Sequence, residues 1–170
     1  MPIIDLLLPE FDQEMANTRK MLERVPEDKL GWKPHPKSFD LAALASHIAT
    51  MVSWTTDTLA KDSFDFAPPG QPAYVPPKAS STAELLAWFD KAVPEARALL
   101  AAASDEKLMQ PWSLLAHGQT IFTMSRIVCI RSFVMNHTIH HRAQLGVYLR
   151  LLDVPVPGMY GQSADDPKLF

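Results

Sequence analysis

Apolar residues recur at helical spacing in four long stretches of the chain, and clusters of proline separate these stretches. The first stretch, from about Ile3 to Val25, has one apolar stripe and carries most of its charges elsewhere, which is typical of an amphipathic helix. The second runs from Phe39 to about Lys61, and the hydroxyl of Ser38 before it is suited to cap a helix N-terminus. The pattern therefore predicts two long helices in the first 61 residues.

Two more helices are predicted in the second half of the chain. A third helix is predicted after Ser81 or Thr82, and Pro94 inside it should kink or split it. The fourth helix, from about Arg126 to Leu152, is the longest. The stretch from Asp62 to Ser81 contains too many prolines for a helix and predicts a long surface connection between helices 2 and 3.

The segment before the fourth helix has a different period. Between Pro111 and Thr123 apolar residues alternate around His117-Gly118, which predicts a short hairpin. Four long helices with connections of unequal length nevertheless predict an all-α class, a four-helix bundle with at least one crossover. A chain of 170 residues predicts a single domain spanning residues 1–170.

Charge and composition exclude several classes of partner. The net charge is −3, the pI is about 6.0, and no run of three basic residues occurs, so neither nucleic acid nor an anionic membrane surface is expected to bind. No apolar stretch approaches the roughly 20 residues that span a bilayer, and the first ten residues carry acids where a signal peptide carries bases. The lone Cys129 lies among apolar residues, which favours a core position over a nucleophile. We expect a cytoplasmic protein whose partner is a small molecule.

The fourth helix carries the most informative chemistry. His137 and His141 are four residues apart, so both can lie on one face and point at a single ion. His47 has a similar position on the apolar stripe of helix 2 and would complete a three-histidine set if the two helices pack together. Three imidazoles leave a position open for water or substrate, which is typical of catalytic zinc sites. Spacing alone leaves two alternatives: His140 as the partner of His137, or histidines that serve only in packing.

Two motifs in this order resemble those of the DinB (damage-inducible) family. The C-terminal motif is Asn136-His-Thr-Ile-His-His-Arg-Ala-Gln-Leu-Gly-Val-Tyr-Leu-Arg150, and the N-terminal motif is Trp32-Lys-Pro-His-Pro-Lys-Ser38 followed by Leu44-Ala-Ser-His-Ile48. The resemblance implies a DinB/YfiT-like bundle, commonly a homodimer, that holds a divalent metal ion. Carried over by residue, the implied ligands are His47, His137 and His141, and His140 falls outside the set.

The resemblance implies a reaction class less specifically than a metal site. The family includes transferases that attach low-molecular-weight thiols to electrophiles, so we expect an S-transferase-like enzyme, with a metal-dependent hydrolase or a non-catalytic metal-binding stress-response protein as alternatives. Zinc or nickel is the expected ion, since imidazole suits both. Gln144, Trp54 and Tyr160 are candidate substrate-binding residues, although a helix-to-loop hydrogen bond, core packing and tail packing are the respective structural alternatives. No residue is assigned as a catalytic acid or base.

Overall fold

The computed structural model describes residues 1–167. Its helical and strand elements follow one another as α1 (Ile3–Leu22), α2 (Leu41–Met51), α3 (Ser53–Ala60), β1 (Ser63–Asp65), α4 (Thr82–Ala101), α5 (Asp105–Met109), β2 (Pro111–Ala116), β3 (Gln119–Ser125), α6 (Arg126–Val128), a π-helical segment (Cys129–Met135) and α7 (Asn136–Leu151).

The long helices pack as a bundle around one apolar core. Both α1 and α2 contact α4 and α7, and α3 extends α2 along α4 and the π-helical segment. Each helix contributes side chains that are removed from solvent, among them Phe11, Leu44, Leu85 and Leu145. Burial of these stripes supplies the main driving force for the packing of the helices.

The all-α class predicted from the sequence is wrong, because the chain also forms a three-stranded mixed sheet. Strand β2 pairs in parallel with β1 and antiparallel with β3. In β2 the residues that alternate along the strand face opposite sides of the sheet. Trp112 and Leu114 line a cavity, whereas the hydroxyls of Ser113 and Thr123 hydrogen-bond to each other at 2.7 Å away from it.

The predicted hairpin is present as strands β2 and β3. His117 and Gly118 form its turn with φ of 53° and 74°, so both adopt the left-handed conformation that a two-residue hairpin turn of this kind requires. The Gly118 N–H donates to the side chain of Asp65 at 2.7 Å, which ties the turn to the end of β1.

Helix 2 of the sequence prediction begins later and is interrupted. Asp40, not Ser38, caps α2 by accepting a hydrogen bond from the Ala43 N–H at 2.8 Å. The helix then breaks at Val52, where the Ser53 hydroxyl donates to the Thr50 carbonyl at 2.7 Å. Such hydroxyl bonds to the preceding turn compete with the helical ladder and bend helices.

Helix α4 follows the prediction at its start, and of the two effects predicted for Pro94 the split does not occur. Ser81 caps the helix by accepting from the Glu84 N–H at 3.1 Å. Pro94 does not split the helix, which runs unbroken from Thr82 to Ala101. Buried Phe89 and Ala96 anchor the two sides of the proline, so tertiary packing outweighs the missing hydrogen bond.

The π-helical segment changes which face of the last helix is buried. Straight α-helical spacing from Ile127 predicts an inward seam that continues through Ile130 and Val134 to His137, His141, Gln144, Tyr148 and Leu151. Leu151 is instead 58% exposed, and Gln144 is exposed as well. A π turn contains one extra residue, so later positions are shifted around the axis. The buried seam instead continues through four residues of α7: Thr138, Arg142, Leu145 and Leu149.

Candidate metal centre and its cavity

Three histidines come together between α2 and α7. His47 projects from α2, and His137 and His141 project from successive turns of α7. One ring nitrogen from each of the three lies within 4.8 Å of the others, and the Nε2 atoms of His137 and His141 are 2.9 Å apart. All three side chains are half-buried.

The geometry fits a divalent ion. Three atoms within 4.8 Å of one another share a point no more than about 2.8 Å from each, whereas zinc–nitrogen bonds are about 2.0–2.1 Å. Ligands of a tetrahedral ion would lie about 3.4 Å apart at that bond length, so small side-chain rotations are enough to form the site. The three imidazoles form a group that can hold a metal ion.

Gln144 orients one of these imidazoles. Its Oε1 lies 2.7 Å from His141 Nδ1. Because an amide oxygen can only accept, the proton sits on Nδ1 and the lone pair of Nε2 faces the other histidines. This is the usual way in which an outer hydrogen bond fixes the tautomer of a metal-binding histidine.

The surroundings keep the imidazoles uncharged. Burial, together with the neighbouring His141 and His137, lowers the pKa of His47 to about 4. Burial also lowers the pKa of His137 and of His141, although a hydrogen bond to Gln144 opposes the effect at His141. Near neutral pH the rings therefore present lone pairs, the form that metals bind.

Aromatic rings enclose the cluster on two sides. The Trp54 ring lies 5.7 Å from the His47 ring and 5.9 Å from the His137 ring, and it stacks on Phe133 at 5.4 Å between centroids. Phe39 lies on another side, 6.3 Å from His47 and 6.5 Å from His141. These rings limit the access of water to the space between the histidines.

His47 and Trp54 also line a cavity of about 330 Å³, which is within the range of small-molecule sites. Its polar lining residues besides His47 are Thr50, Asp57 and Thr58. Its walls are mainly aromatic, and the aromatic lining residues are Trp54, Phe64, Phe66, Tyr74, Trp112 and Phe133. The histidine cluster thus borders an aromatic cavity through His47.

Much of this cavity comes from segments that the sequence analysis interpreted as connections. Phe66, Tyr74 and Pro76 belong to the proline-rich segment after α3, and Tyr74 N–H donates to the Phe66 carbonyl at 2.7 Å. The aromatic residues of this segment were the sequence signal that part of it is buried, because aromatic side chains are uncommon in fully solvated loops.

The remaining predicted site residues lie elsewhere. Tyr160 does not line the cavity, and its hydroxyl lies 2.9 Å from the carboxylate of Glu14 and 2.6 Å from Arg142 Nη2. His140 is exposed beside His141. Cys129 is fully buried, and burial raises the pKa of its thiol, which confirms a core position.

A buried ion pair, which no sequence pattern indicated, holds α7 against α1. Arg142 Nη2 lies 2.6 Å from Glu14 Oε2, and Arg142 Nη1 donates to the Glu14 carbonyl at 3.0 Å and to the Thr18 hydroxyl at 3.1 Å. Both charged side chains are almost fully buried. Because Arg142 follows His141 directly, this pair fixes the rotation of α7 that presents the histidines.

Comparisons with known proteins agree with this arrangement. The model of the DinB superfamily matches residues 10–145, and the chain belongs to that family. Two solved structures share the fold. A DinB-like protein from Bacillus cereus is 22% identical with a TM-score of 0.71, covering 94% of this chain and 98% of that one. A DinB-like protein (YjoA) from Bacillus subtilis is 17% identical with a TM-score of 0.67, covering 92% and 98%. A search of the curated proteins found no match.

Within residues 1–167, no helix has the length and apolar character needed to cross a membrane.

Proposed function

We propose that this protein is a divalent-metal-dependent enzyme that transfers a low-molecular-weight thiol to an electrophile. The observation that carries the proposal is the cluster of three histidines, which borders an aromatic cavity through His47 and would leave part of an ion's coordination shell open. The thiol rests on the family resemblance alone. Zinc or nickel is the proposed ion.

The residues have separate tasks in this proposal. His47, His137 and His141 would bind the ion, and Gln144 holds His141 in the tautomer that can do so. Trp54 and Phe133 exclude water from the reacting centre, and the cavity beyond them would hold the electrophile. A bound divalent ion lowers the pKa of a thiol or water at its open position, which supplies a nucleophile at neutral pH.

The reaction needs little else from the chain. In a substitution the thiol sulfur forms a bond to carbon, the leaving group departs with the electron pair of its own bond, and the thiol proton passes to solvent. Asp57 lines the cavity, but its carboxylate is already paired with Lys61 at 2.6 Å. We therefore assign no general base.

Metal analysis and thiol dependence test the proposal together. Untagged protein is analysed for bound metals and then assayed with 1-chloro-2,4-dinitrobenzene and with 4-nitrophenyl acetate, each with and without bacillithiol, mycothiol or glutathione. We expect stoichiometric zinc or nickel and turnover of the first compound only with a thiol. His47→Ala should lose metal and turnover, and exposed His35→Ala should keep both.

Other results would select the alternatives. Ester hydrolysis that needs the metal but no thiol indicates a hydrolase. Metal binding without turnover of any substrate indicates a non-catalytic metal-binding protein, and absence of metal contradicts the proposal altogether.

A homodimer and a cytoplasmic location stay predictions. Apolar surface that could support association includes Leu6, which is 64% exposed. Leu149 is buried in the core and Phe133 stacks on Trp54, so neither belongs to such a surface. Sedimentation equilibrium at micromolar concentration measures the mass directly.

A further inference from the structure

Phe39 covers a side of the histidine cluster that differs from the cavity side. Its ring lies 6.3 Å from the His47 ring and 6.5 Å from the His141 ring. Trp54, which lines the cavity, lies beside His47 and His137 instead, at 5.7 and 5.9 Å. Neither Phe39 nor His141 lines the cavity. We call the side of the cluster beside Phe39 and His141 the outer flank.

The outer flank is open to solvent. Phe39 is 53% exposed, although its side chain is large and apolar. Gln144, whose Oε1 lies 2.7 Å from His141 Nδ1, is exposed as well, and so is His140, whose ring lies 4.9 Å from that of His141. A half-exposed phenyl ring thus stands between solvent and the imidazoles on this side.

The backbone of Phe39 is held in place. Its carbonyl accepts a hydrogen bond from the Tyr148 hydroxyl of α7 at 3.2 Å, and the Tyr148 ring packs edge-on against Trp32 at 5.5 Å between centroids. The next residue, Asp40, caps α2. Because exposed side chains change rotamer within nanoseconds, the Phe39 ring can uncover the outer flank without any movement of the backbone.

The two approaches to the cluster differ in polarity. The cavity is lined mainly by aromatic rings, and the Thr50 hydroxyl in its lining already donates to the Ser46 carbonyl at 2.9 Å. The segment that leads to Phe39 instead carries the exposed, positively charged Lys33 and Lys37. Low-molecular-weight thiols such as glutathione carry several charged and polar groups, whose hydration would be lost among aromatic rings. At the outer flank those groups stay in water.

We infer that the two reactants approach the histidine cluster from different sides. The electrophile occupies the aromatic cavity, and the thiol reaches the cluster across the outer flank when the Phe39 ring turns away. This rests on the proposed function, which supplies the thiol and the bound ion. Both reactants can then be bound at the same time, as a substitution between them requires.

Simultaneous binding tests the separation of the two sides. Cobalt(II)-loaded full-length protein is titrated with glutathione, bacillithiol and mycothiol in turn, and the thiolate-to-cobalt charge-transfer absorption gives each dissociation constant. The titrations are repeated with saturating 1,3-dinitrobenzene, which lacks the leaving group of 1-chloro-2,4-dinitrobenzene and whose binding is followed by quenching of tryptophan fluorescence. We expect the dissociation constant of the thiol to change by about twofold at most. A thiol dissociation constant that rises in proportion to the dinitrobenzene concentration would show one shared entrance and overturn the inference.

Phe39→Ala tests the outer flank by a measurement that needs no activity. Zinc-loaded protein is mixed with increasing concentrations of EDTA, a hydrophilic chelator, and the part of the zinc-removal rate that rises with its concentration measures access to the cluster. Phe39→Ala should raise this second-order rate constant by about threefold or more, and Phe39→Trp should lower it. Equal rate constants in the wild type and in Phe39→Ala would contradict the assigned role.

Phe66→Ala is the matched control, because Phe66 is an aromatic residue of 38% exposure that lines the cavity. It should weaken the binding of 1,3-dinitrobenzene and leave zinc removal unchanged, whereas Phe39→Ala should do the reverse. Zinc removal that is faster in Phe66→Ala than in Phe39→Ala would place the entrance in the cavity and overturn the inference.

Failure of the inference and failure of the proposed function give different results. If a thiol binds the cobalt protein and 1,3-dinitrobenzene displaces it, the inference is overturned and the proposed function stands. If no thiol binds and none supports turnover, the proposed function fails together with the thiol part of the inference. Zinc removal from the Phe39 variants then still decides whether the outer flank is the route to the cluster.

Discussion

Replacing His141 with alanine should remove the metal and leave the fold intact. The His141 ring lies 4.8 Å from the ring of His47 and 4.6 Å from that of His137, so it is central to the cluster. His140 is its sequence neighbour and is exposed, which makes His140→Ala a matched control on the same turn of α7.

The size of the effect follows from the number of ligands. Structural zinc sites with four protein ligands bind with about 10–16 kcal/mol, so one ligand contributes about 3–4 kcal/mol, a factor of roughly 10² to 10³ in affinity. The half-buried His141 side chain contributes little to the core, and its loss should change the free energy of unfolding by about 1 kcal/mol at most.

Competition with a chromophoric chelator measures the affinity, and circular dichroism with urea unfolding measures the fold. His141→Ala should keep its helical signal while its metal affinity falls by two to three orders of magnitude. His140→Ala should stay within a few-fold of wild type. If His140→Ala loses the metal and His141→Ala keeps it, the ligand assignment is wrong. If both keep it, these histidines serve in packing.

Three further predictions concern the groups around the cluster. Gln144→Ala removes the hydrogen bond that orients His141 and should weaken metal binding about 10- to 100-fold in the same competition assay, and unchanged affinity would exclude this role. Glu14→Gln leaves the guanidinium of Arg142 buried without its counter-charge and should lower the free energy of unfolding in urea by about 3–5 kcal/mol, whereas a loss below 1 kcal/mol would contradict a buried pair. In the metal-free protein, the free energy of unfolding should fall as the pH decreases from about 6.5 toward 4. The reason is that His47 binds a proton in the unfolded state, whereas in the folded state its pKa is near 4 and it stays unprotonated. The urea midpoint should therefore differ between pH 7 and pH 5 in the wild-type protein, and this difference should be smaller in His47→Gln.

The pairing of His137 with His141 could be predicted because its determinants are local. The four-residue spacing of His137 and His141 survives on any regular helix, and α7 is regular from Asn136 onward. The choice of His141 over His140 came from the family resemblance, and the structure brings His141 into the cluster while His140 stays exposed. That these residues bind a metal stays a prediction.

The cavity could not be predicted because its walls are distant in sequence. Phe64, Tyr74, Trp112 and Phe133 meet only when β1 pairs in parallel with β2 across 50 residues. The three-residue β1 is too short to show an alternating pattern, and the all-α prediction followed from its omission. The period-two pattern around Leu114 was visible, but a hairpin with no third strand gives no reason to expect a sheet against the bundle.

The π-helical segment explains why the predicted seam fails at its C-terminal end and why the site is accessible. With α-helical geometry throughout, His137 and His141 would follow Val134 into the core, where unpartnered imidazoles are unfavourable. The extra residue of the segment gives the core positions to Thr138 and Arg142 and leaves His137 and His141 half-buried, where they meet His47. The Arg142–Glu14 pair then fixes this rotation from the opposite side of α7. A helix that had to place both an apolar stripe and a ligand pair on one regular face could satisfy only one of them, and one inserted residue allows it to satisfy both.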